Sequence, residues 1–179
     1  MHDVVSNPPT GSASGTPSGS SRPAPTILVV DDEASIVDAL TKVLEKEELV
    51  VVAAKNGHEA LEILRHRRID VMITDLRMPS MGGDDLLKAA KAIVPDVEVI
   101  VMTAYGTVET AVDAMKRGAY DFIPKPLKRA TVLAAVRKAL DKAALLAENS
   151  KLRAQLAAAT YKEIVGTSQV FRATLEVAR

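Results

Sequence analysis

Residues 69–79 read Ile69-Asp70-Val71-Met72-Ile73-Thr74-Asp75-Leu76-Arg77-Met78-Pro79. The apolar run in this stretch ends on the carboxylate of Asp75, and a Met-Pro pair that disfavours helix follows it. A short apolar run without polar alternation is typical of a strand buried on both faces, as in a parallel sheet covered by helices. Ligands of such sheets bind beyond the carboxyl ends of the strands. We therefore predict that Asp75 ends a buried strand and lies at a binding site.

Three other apolar runs also end on polar residues. They are Ile27–Val30 before Asp31 and Asp32, Val99–Met102 before Thr103, and Tyr120–Pro124 before Lys125. Because the carboxyl ends of parallel strands meet at one edge of a sheet, we expect these polar side chains to converge with Asp75. Three carboxylates, one hydroxyl and one ammonium form a set suited to phosphoryl transfer.

Strand-like and helix-like segments alternate from Thr26 to Ala144, five of each, which predicts a doubly wound α/β fold with a parallel sheet. The predicted strands are 26–31, 50–54, the segment ending at Asp75, 97–102 and 119–123. The predicted helices are 34–47, 57–66 after the turn Asn56-Gly57, a short helix capped by Asp84, 107–117 ending at Gly118, and a last helix from after Pro126 to about residue 158.

The composition suits one globular domain with attachments, because 47% of the 179 residues are hydrophobic. The formal net charge is zero, so no overall basic field favours nucleic acid or a membrane surface as the partner of this fragment. The chain has no cysteine and three scattered histidines, which excludes disulfides and thiolate zinc sites. Without a long apolar run or a secretory signal, the chain is expected to be cytoplasmic.

Four segments are expected along the chain. Residues 1–25 are rich in serine, glycine and proline and are expected to be a disordered tail. Residues 26–144 form the folded domain, and 145–160 a coiled-coil linker helix. Residues 161–179 begin a segment that this chain does not finish.

The linker prediction depends on an apolar seam at helical spacing. Leu145, Asn149, Leu152 and Leu156 follow one another at intervals of four, three and four residues. With Leu145 and Leu152 at d positions, Asn149 falls at an a position, where a single asparagine favours a two-stranded coil. We therefore expect a parallel dimer, with a solvated single helix as the alternative.

Asp31, Asp32 and Asp75 would repel one another unless a cation neutralised them, and Mg²⁺ is the hard cation that carboxylates and phosphoryl oxygens share. The alternative for Asp31 and Asp32 is that they only cap the first helix. Asp75 precedes a proline-containing loop rather than a helix, so we assign it as the nucleophile that forms an aspartyl-phosphate. The two other aspartates are then metal ligands.

Thr103 and Lys125 are the candidate groups for binding the phosphoryl oxygens. The hydroxyl of Thr103 can donate a hydrogen bond, although a strand-end threonine is also a common turn residue. Lys125 lies between Pro124 and Pro126, which fix the backbone on both sides of one long cation. The alternative for Lys125 is an exposed surface lysine.

Residues 26–145 resemble the receiver domain of bacterial two-component response regulators. The motifs that carry the resemblance are Leu28-Val29-Val30-Asp31-Asp32-Glu33, Thr74-Asp75-Leu76-Arg77-Met78-Pro79 with Gly83, Met102-Thr103-Ala104, and Lys125-Pro126. The resemblance implies a flavodoxin-like sheet in the order 2-1-3-4-5 and phosphoryl transfer from a sensor histidine kinase to Asp75. It also implies Mg²⁺ bound by Asp31, Asp32, Asp75 and the backbone carbonyl of Arg77.

The same resemblance assigns roles to residues around the site. Thr103 and Lys125 would bind the phosphoryl group, and Phe122 stands where the family has an aromatic residue that reorients on activation. Arg77 and Tyr105 occupy positions at which the family tunes the lifetime of the phosphate. A cis Lys125-Pro126 bond is also expected.

The segments Tyr105–Ala111 and Gly118–Phe122 resemble receivers of the NtrC type, and Ile164–Ser168 resembles the opening of their sigma-54-activating AAA+ ATPase domain. No G-x-x-x-x-G-K-[ST] phosphate loop occurs in the chain, so a truncated regulator is expected. The implied partners are a second copy, through the fourth helix, fifth strand, fifth helix and linker, and, in the full-length protein, sigma-54 RNA polymerase and DNA.

Two other functions remain open from the sequence. One is an aspartate-nucleophile phosphatase, but such enzymes need an acid two residues after the nucleophile, and Arg77 stands there. The other is a dimerisation module that is never phosphorylated, which the complete set of predicted site residues disfavours.

Overall fold

Five strands and five helices alternate in the computed structural model, which describes residues 24–104 and 108–176. The strands are β1 (Thr26–Val30), β2 (Val50–Ala54), β3 (Val71–Asp75), β4 (Glu98–Thr103) and β5 (Asp121–Pro124). The helices are α1 (Ala34–Glu45), α2 (Gly57–His66), α3 (Gly83–Ile93), α4 (Val108–Lys116) and α5 (Arg129–Glu176). The predicted tail lies almost wholly outside the described residues.

All five strands pair in parallel in the order β2-β1-β3-β4-β5, which confirms the predicted fold class and strand order. Alternate residues of β1 enter the two halves of the core. Leu28 and Val30 pack in the layer that includes residues of α2 and α3, and Ile27 and Val29 pack in the layer that includes residues of α1 and α5. The central strands β3 and β4 are buried throughout, as unalternated apolar runs predict.

Turn chemistry placed two helix ends correctly. The side chain of Asn56 accepts a hydrogen bond from the backbone N–H of Glu59 at 2.9 Å and so caps α2. Gly118, just after α4, has a φ of 99°, the left-handed conformation that favours glycine. Both features follow from local sequence.

The prediction that Asp84 caps the third helix is wrong. Gly82 is the N-cap residue of α3 and the cap has no side-chain hydrogen bond, whereas Asp84 lies in the first turn and pairs with Arg117. The helix begins earlier because Gly83 approaches the end of β3 closely. A β-carbon at Gly83 would lie 2.4 Å from the carbonyl oxygen of Asp75, a contact that only glycine avoids.

Helix α5 continues to Glu176, past the end expected near residue 158. No proline follows Pro126, and Gly166 costs a helix only about 1 kcal/mol relative to alanine, so no strong stop signal exists near residue 158. That residues 161–179 begin a further domain stays a prediction. None of the helices in the described part of the chain combines the length and the apolar character that crossing a membrane requires.

Candidate functional site

The predicted site residues lie at the carboxyl edge of the sheet. Asp31 follows β1, Asp75 ends β3, Thr103 ends β4 and Lys125 follows β5. These four strands are consecutive neighbours, and Asp75 lies in register with Met102, next to Thr103. The topology thus brings together side chains that lie far apart in the sequence, as the strand-end pattern predicted.

The three aspartates form one compact group. One carboxylate oxygen from each of Asp31, Asp32 and Asp75 lies within 4.8 Å of the others. Asp31 is only 1% exposed and Asp75 only 8%, whereas Asp32 is exposed. Two of the three negative charges are therefore largely removed from water, so the repulsion between them is only weakly screened.

Lys125 bridges the two buried carboxylates. Its Nζ lies 3.0 Å from Oδ2 of Asp31 and 3.3 Å from Oδ2 of Asp75. Its backbone N–H donates to the carbonyl of Thr103 at 2.7 Å, and the following bond to Pro126 is cis, as expected. The alternative of an exposed surface lysine is therefore wrong, because the end of β4 and both carboxylates hold this residue in the site.

Backbone donors fix the other oxygen of each buried carboxylate. Oδ1 of Asp31 accepts from the N–H of Glu33, and Oδ1 of Asp75 accepts from the N–H of Leu76, each at 2.9 Å. The N-cap residue of α1 is Glu33, and this cap carries no side-chain hydrogen bond. Asp31 therefore accepts a hydrogen bond from the residue just before α1, and it does not cap a backbone N–H within the helix. Helix capping does not account for the pair of aspartates.

The electrostatics of the site leave excess negative charge. Burial raises the pKa of Asp75 above its ordinary value and the charge of Asp31 adds to this, although Lys125 and the N–H of Leu76 act in the opposite direction. Burial lowers the pKa of Lys125, but Asp31 and Asp75 outweigh that effect and raise it overall. The single positive charge of Lys125 is thus shared by two buried carboxylates, with a third nearby, and does not neutralise them.

The donor set fits Mg²⁺. Carboxylate oxygens are the hard ligands that this ion accepts, and it usually keeps several waters, for which the exposed side of Asp32 leaves access. The excess negative charge favours a divalent cation at this place. Arg77 is exposed on the loop directly after β3, where the resemblance assigns its carbonyl as a further ligand.

The loop after β3 is held tightly beneath the site. Met78 is 9% exposed and packs in the core, and the N–H of Gly83 donates to the carbonyl of Leu76 at 3.0 Å. The steric role of Gly83 is a functional feature that sequence reasoning missed, although the Gly82-Gly83 pair was a signal for a close backbone approach.

The remaining predicted residues are the switch aromatic, the second lifetime-tuning residue and the coiled-coil residues. Phe122 is half-buried in β5, with its N–H bonded to Oδ1 of Asp121. Tyr105 lies outside the described residues. The proposed coiled-coil residues lie on α5 beyond the opposite edge of the sheet, where Leu145, Leu152 and Leu156 are 67%, 52% and 68% exposed and Asn149 is also exposed.

Comparisons with known proteins agree with this geometry. Relatives include the transcriptional regulatory protein ZraR of Escherichia coli O157:H7, 44% identical over 114 residues, a match that covers 64% of this chain and 26% of the relative. The regulatory protein LuxO of Vibrio vulnificus is 35% identical over 141 residues, covering 79% of this chain and 30% of the relative. The chain thus spans under a third of the length of these relatives.

Solved structures share the fold. A response regulator receiver domain from Clostridium thermocellum matches with a TM-score of 0.64 and 35% identity, over 68% of this chain and 98% of that one. The signal receiver domain of a LuxO repressor protein from Vibrio parahaemolyticus matches with a TM-score of 0.65 and 28% identity, over 68% and 94% of the two chains. The profile of the response regulator receiver domain matches residues 27–137. The chain therefore belongs to the receiver domain family of two-component response regulators, whose members are signalling modules rather than catalytic enzymes.

Proposed function

We propose that Asp75 accepts a phosphoryl group from a histidine of a sensor kinase and that the resulting aspartyl-phosphate switches a transcription regulator. The observation that carries this proposal is the shared ammonium of Lys125, bound to Asp31 and Asp75 within a cluster of three carboxylates. Such a cluster is costly in a scaffold and suits a site that receives a metal and an anion.

The transfer is a single displacement at phosphorus. A carboxylate oxygen of Asp75 forms the new P–O bond, and the P–N bond to the kinase imidazole breaks with its electron pair leaving on nitrogen. Asp75 is held for this step by the N–H of Leu76 on Oδ1. Lys125 and the hydroxyl of Thr103 bind the phosphoryl oxygens as the phosphoryl group is transferred to Asp75.

Asp31, Asp32, Asp75 and the backbone carbonyl of Arg77 would hold Mg²⁺. When bound, the ion supplies the positive charge that lets an anion approach the carboxylates. Lys125 can then exchange its contact with Asp75 for one with the phosphoryl group, because its side chain is long and flexible.

Phe122 would respond to phosphorylation through packing alone, since it lacks the hydroxyl of a tyrosine. Arg77 and Tyr105 would restrict attack by water on the aspartyl-phosphate. The intact acceptor site argues against a module that only dimerises, and Arg77 stands where a phosphatase needs an acid.

The downstream role is control of a sigma-54-dependent activator in the cytoplasm, with RNA polymerase and DNA as partners of the full-length protein. Dimerisation would use α4, β5, α5 and the linker residues. Val112 and Met115 expose 43% and 47% of their surface on α4, and the linker leucines are exposed as well, so both surfaces have apolar area to bury. The transcriptional regulator among the relatives supports this assignment.

The test is incubation with Mg²⁺ and a small phosphodonor such as acetyl phosphate, followed by mass spectrometry of the intact chain. We expect one acid-stable, base-labile phosphate on the wild type and none on Asp75→Asn or in the presence of a chelator. Asp113→Asn, an exposed aspartate on α4, is the matched control and should be labelled like the wild type. Equal labelling of Asp75→Asn would end the assignment of the acceptor, and an unlabelled wild type would favour the module that only dimerises.

A further inference from the structure

A second charged cluster lies at the opposite edge of the sheet from Asp75. Glu98 begins β4 and its side chain is only 2% exposed, yet it carries a carboxylate. Lys142 of α5 places its Nζ 3.0 Å from Oε1 and 3.1 Å from Oε2 of Glu98. The same Nζ lies 4.9 Å from the centroid of the Tyr120 ring. One ammonium thus meets a buried carboxylate and an aromatic face together.

Lys142 lies where α5 passes from its part packed on the sheet to its exposed part. Up to Ala139 the helix buries apolar side chains against the sheet, and three residues after Lys142 comes Leu145, which is 67% exposed. Between Lys142 and Ser150 the half-buried side chains of the helix are all small, Ala143, Ala144 and Ala147, and contribute little apolar contact. Lys142 is therefore the main side-chain anchor at the point where the helix leaves the domain.

Other ion pairs of α5 are weaker anchors. Glu47, after the end of α1, binds Arg129 and Arg137, but these arginine side chains are 57% and 69% exposed. Exposed pairs contribute little, because water and salt screen them. Lys142 is itself 48% exposed, but its partner Glu98 is only 2% exposed, against 24% for Glu47. A carboxylate buried this deeply is strongly destabilised when its partner is removed, so Glu98 depends on Lys142 more than Glu47 depends on either arginine.

We infer that Glu98 and Lys142 are positioning residues that fix the direction in which the linker helix leaves the receiver. Glu98 lies at one end of β4, and Thr103 of the candidate site lies at the other end of this fully buried strand. Tyr120 directly precedes β5, and its N–H donates to the carbonyl of Val99 in β4 at 2.7 Å, so the anchor also contacts the start of β5. The linker is thus oriented by the two strands that also carry Thr103 and Phe122. This inference does not depend on phosphorylation.

The test is a distance measurement within one chain by pulsed electron spin resonance. The chain has no cysteine, so Lys88→Cys on α3 and Ser150→Cys on the linker, both at exposed positions, accept two spin labels without background. Labelled chains are diluted with excess unlabelled protein so that only distances within a chain are read. We expect a narrow distribution for the otherwise wild-type chain and at least a twofold broader one when Lys142→Met is added.

Three variants make the outcome decisive. Lys142→Arg keeps the charge and should restore the narrow distribution, and Lys138→Met removes an exposed lysine one turn earlier and should change nothing. The double variant Glu98→Gln with Lys142→Met leaves no buried charge, so it folds even if Lys142→Met alone does not, and it should also be broad. A narrow distribution in either folded variant that carries Lys142→Met would overturn the inference.

Discussion

Asp75→Asn should make the protein more stable at neutral pH in the absence of metal while removing the phosphate acceptor. The reason is that Asp75 is buried beside two other carboxylates, and Lys125 must serve Asp31 as well. Asparagine keeps nearly the same shape, and its amide oxygen can still accept the hydrogen bond from the N–H of Leu76. The substitution therefore removes a charge and leaves the packing intact.

The size of the effect follows from the distances. At an effective dielectric constant of 20, unit charges 4.8 Å apart repel by about 3.5 kcal/mol, and opposite charges 3.3 Å apart attract by about 5 kcal/mol. Because 4.8 Å is the upper limit of these separations, two repulsions from Asp31 and Asp32 exceed the one attraction from Lys125 by about 2 kcal/mol or more, and burial of the Asp75 carboxylate adds to the cost of its charge. Because Asp32 is exposed and partly screened, we expect a gain of about 1–2 kcal/mol in the free energy of unfolding, or roughly 2–8 °C in Tm.

The assay is urea unfolding followed by circular dichroism, at neutral pH with a chelator present. Asp113→Asn serves as the control, because this aspartate is exposed and its change should stay within about 0.5 kcal/mol. Added Mg²⁺ should stabilise the wild type more than Asp75→Asn, since the wild type keeps all three carboxylates. If Asp75→Asn unfolds at lower urea than the wild type in the chelator, the reasoning about excess charge is wrong.

The pH dependence of this difference has a defined sign. Since the pKa of Asp75 is raised in the folded state, the folded chain binds more protons than the unfolded chain between the unfolded value near 3.8 and the folded pKa. The wild type therefore loses the stability contributed by this group as the pH rises through the folded pKa. The advantage of Asp75→Asn should be absent below the unfolded value and grow through that window.

Three further predictions test other parts of the site and the linker. Gly83→Ala should lower the free energy of unfolding by about 1–3 kcal/mol and slow phosphorylation, because the new methyl would clash with the carbonyl of Asp75; phosphorylation at the wild-type rate would contradict this. Alanine at both Arg77 and Tyr105 should shorten the half-life of the phosphate, measured by loss of label, and an unchanged half-life would mean that neither side chain restricts water. Leu152→Lys should shift sedimentation toward monomer, whereas a wild type that is monomeric at high concentration, phosphorylated or not, would rule out the dimer.

Much of the fold could be predicted because its signals are local. The unalternated run before Asp75 indicated a buried strand. Asn56 marked the start of α2 through its side-chain oxygen, and Gly118 marked the end of α4 through its left-handed backbone. The convergence of the carboxylates with Lys125 was also predictable, although Lys125 and Asp31 are 94 residues apart, because parallel strands place their carboxyl ends at one edge.

The features that sequence reasoning missed depend on packing between distant elements. Asp84 has the chemistry of a cap, but the N-cap residue is Gly82, two residues earlier, and Gly83 begins the helix in close approach to β3. Glu98 and Lys142 are 44 residues apart, and no local pattern distinguishes either from an exposed charge. Their pairing appears only once α5 is placed against the start of β4.

Both edges of the sheet bury acidic side chains, and the charge that surrounds them separates a candidate site from an anchor. Glu98 is paired with the ammonium of Lys142, and Lys91 and Asp96 add one nearby charge of each sign, so this cluster is neutral. Asp31 and Asp75 share one ammonium, with Asp32 nearby, so that cluster stays negative until a cation arrives. A neutral buried ion pair holds two elements together. A buried cluster with excess negative charge destabilises the fold, and a bound cation relieves this repulsion. This difference in charge supports our proposals of phosphoryl chemistry at the carboxyl edge and of linker orientation at the opposite edge.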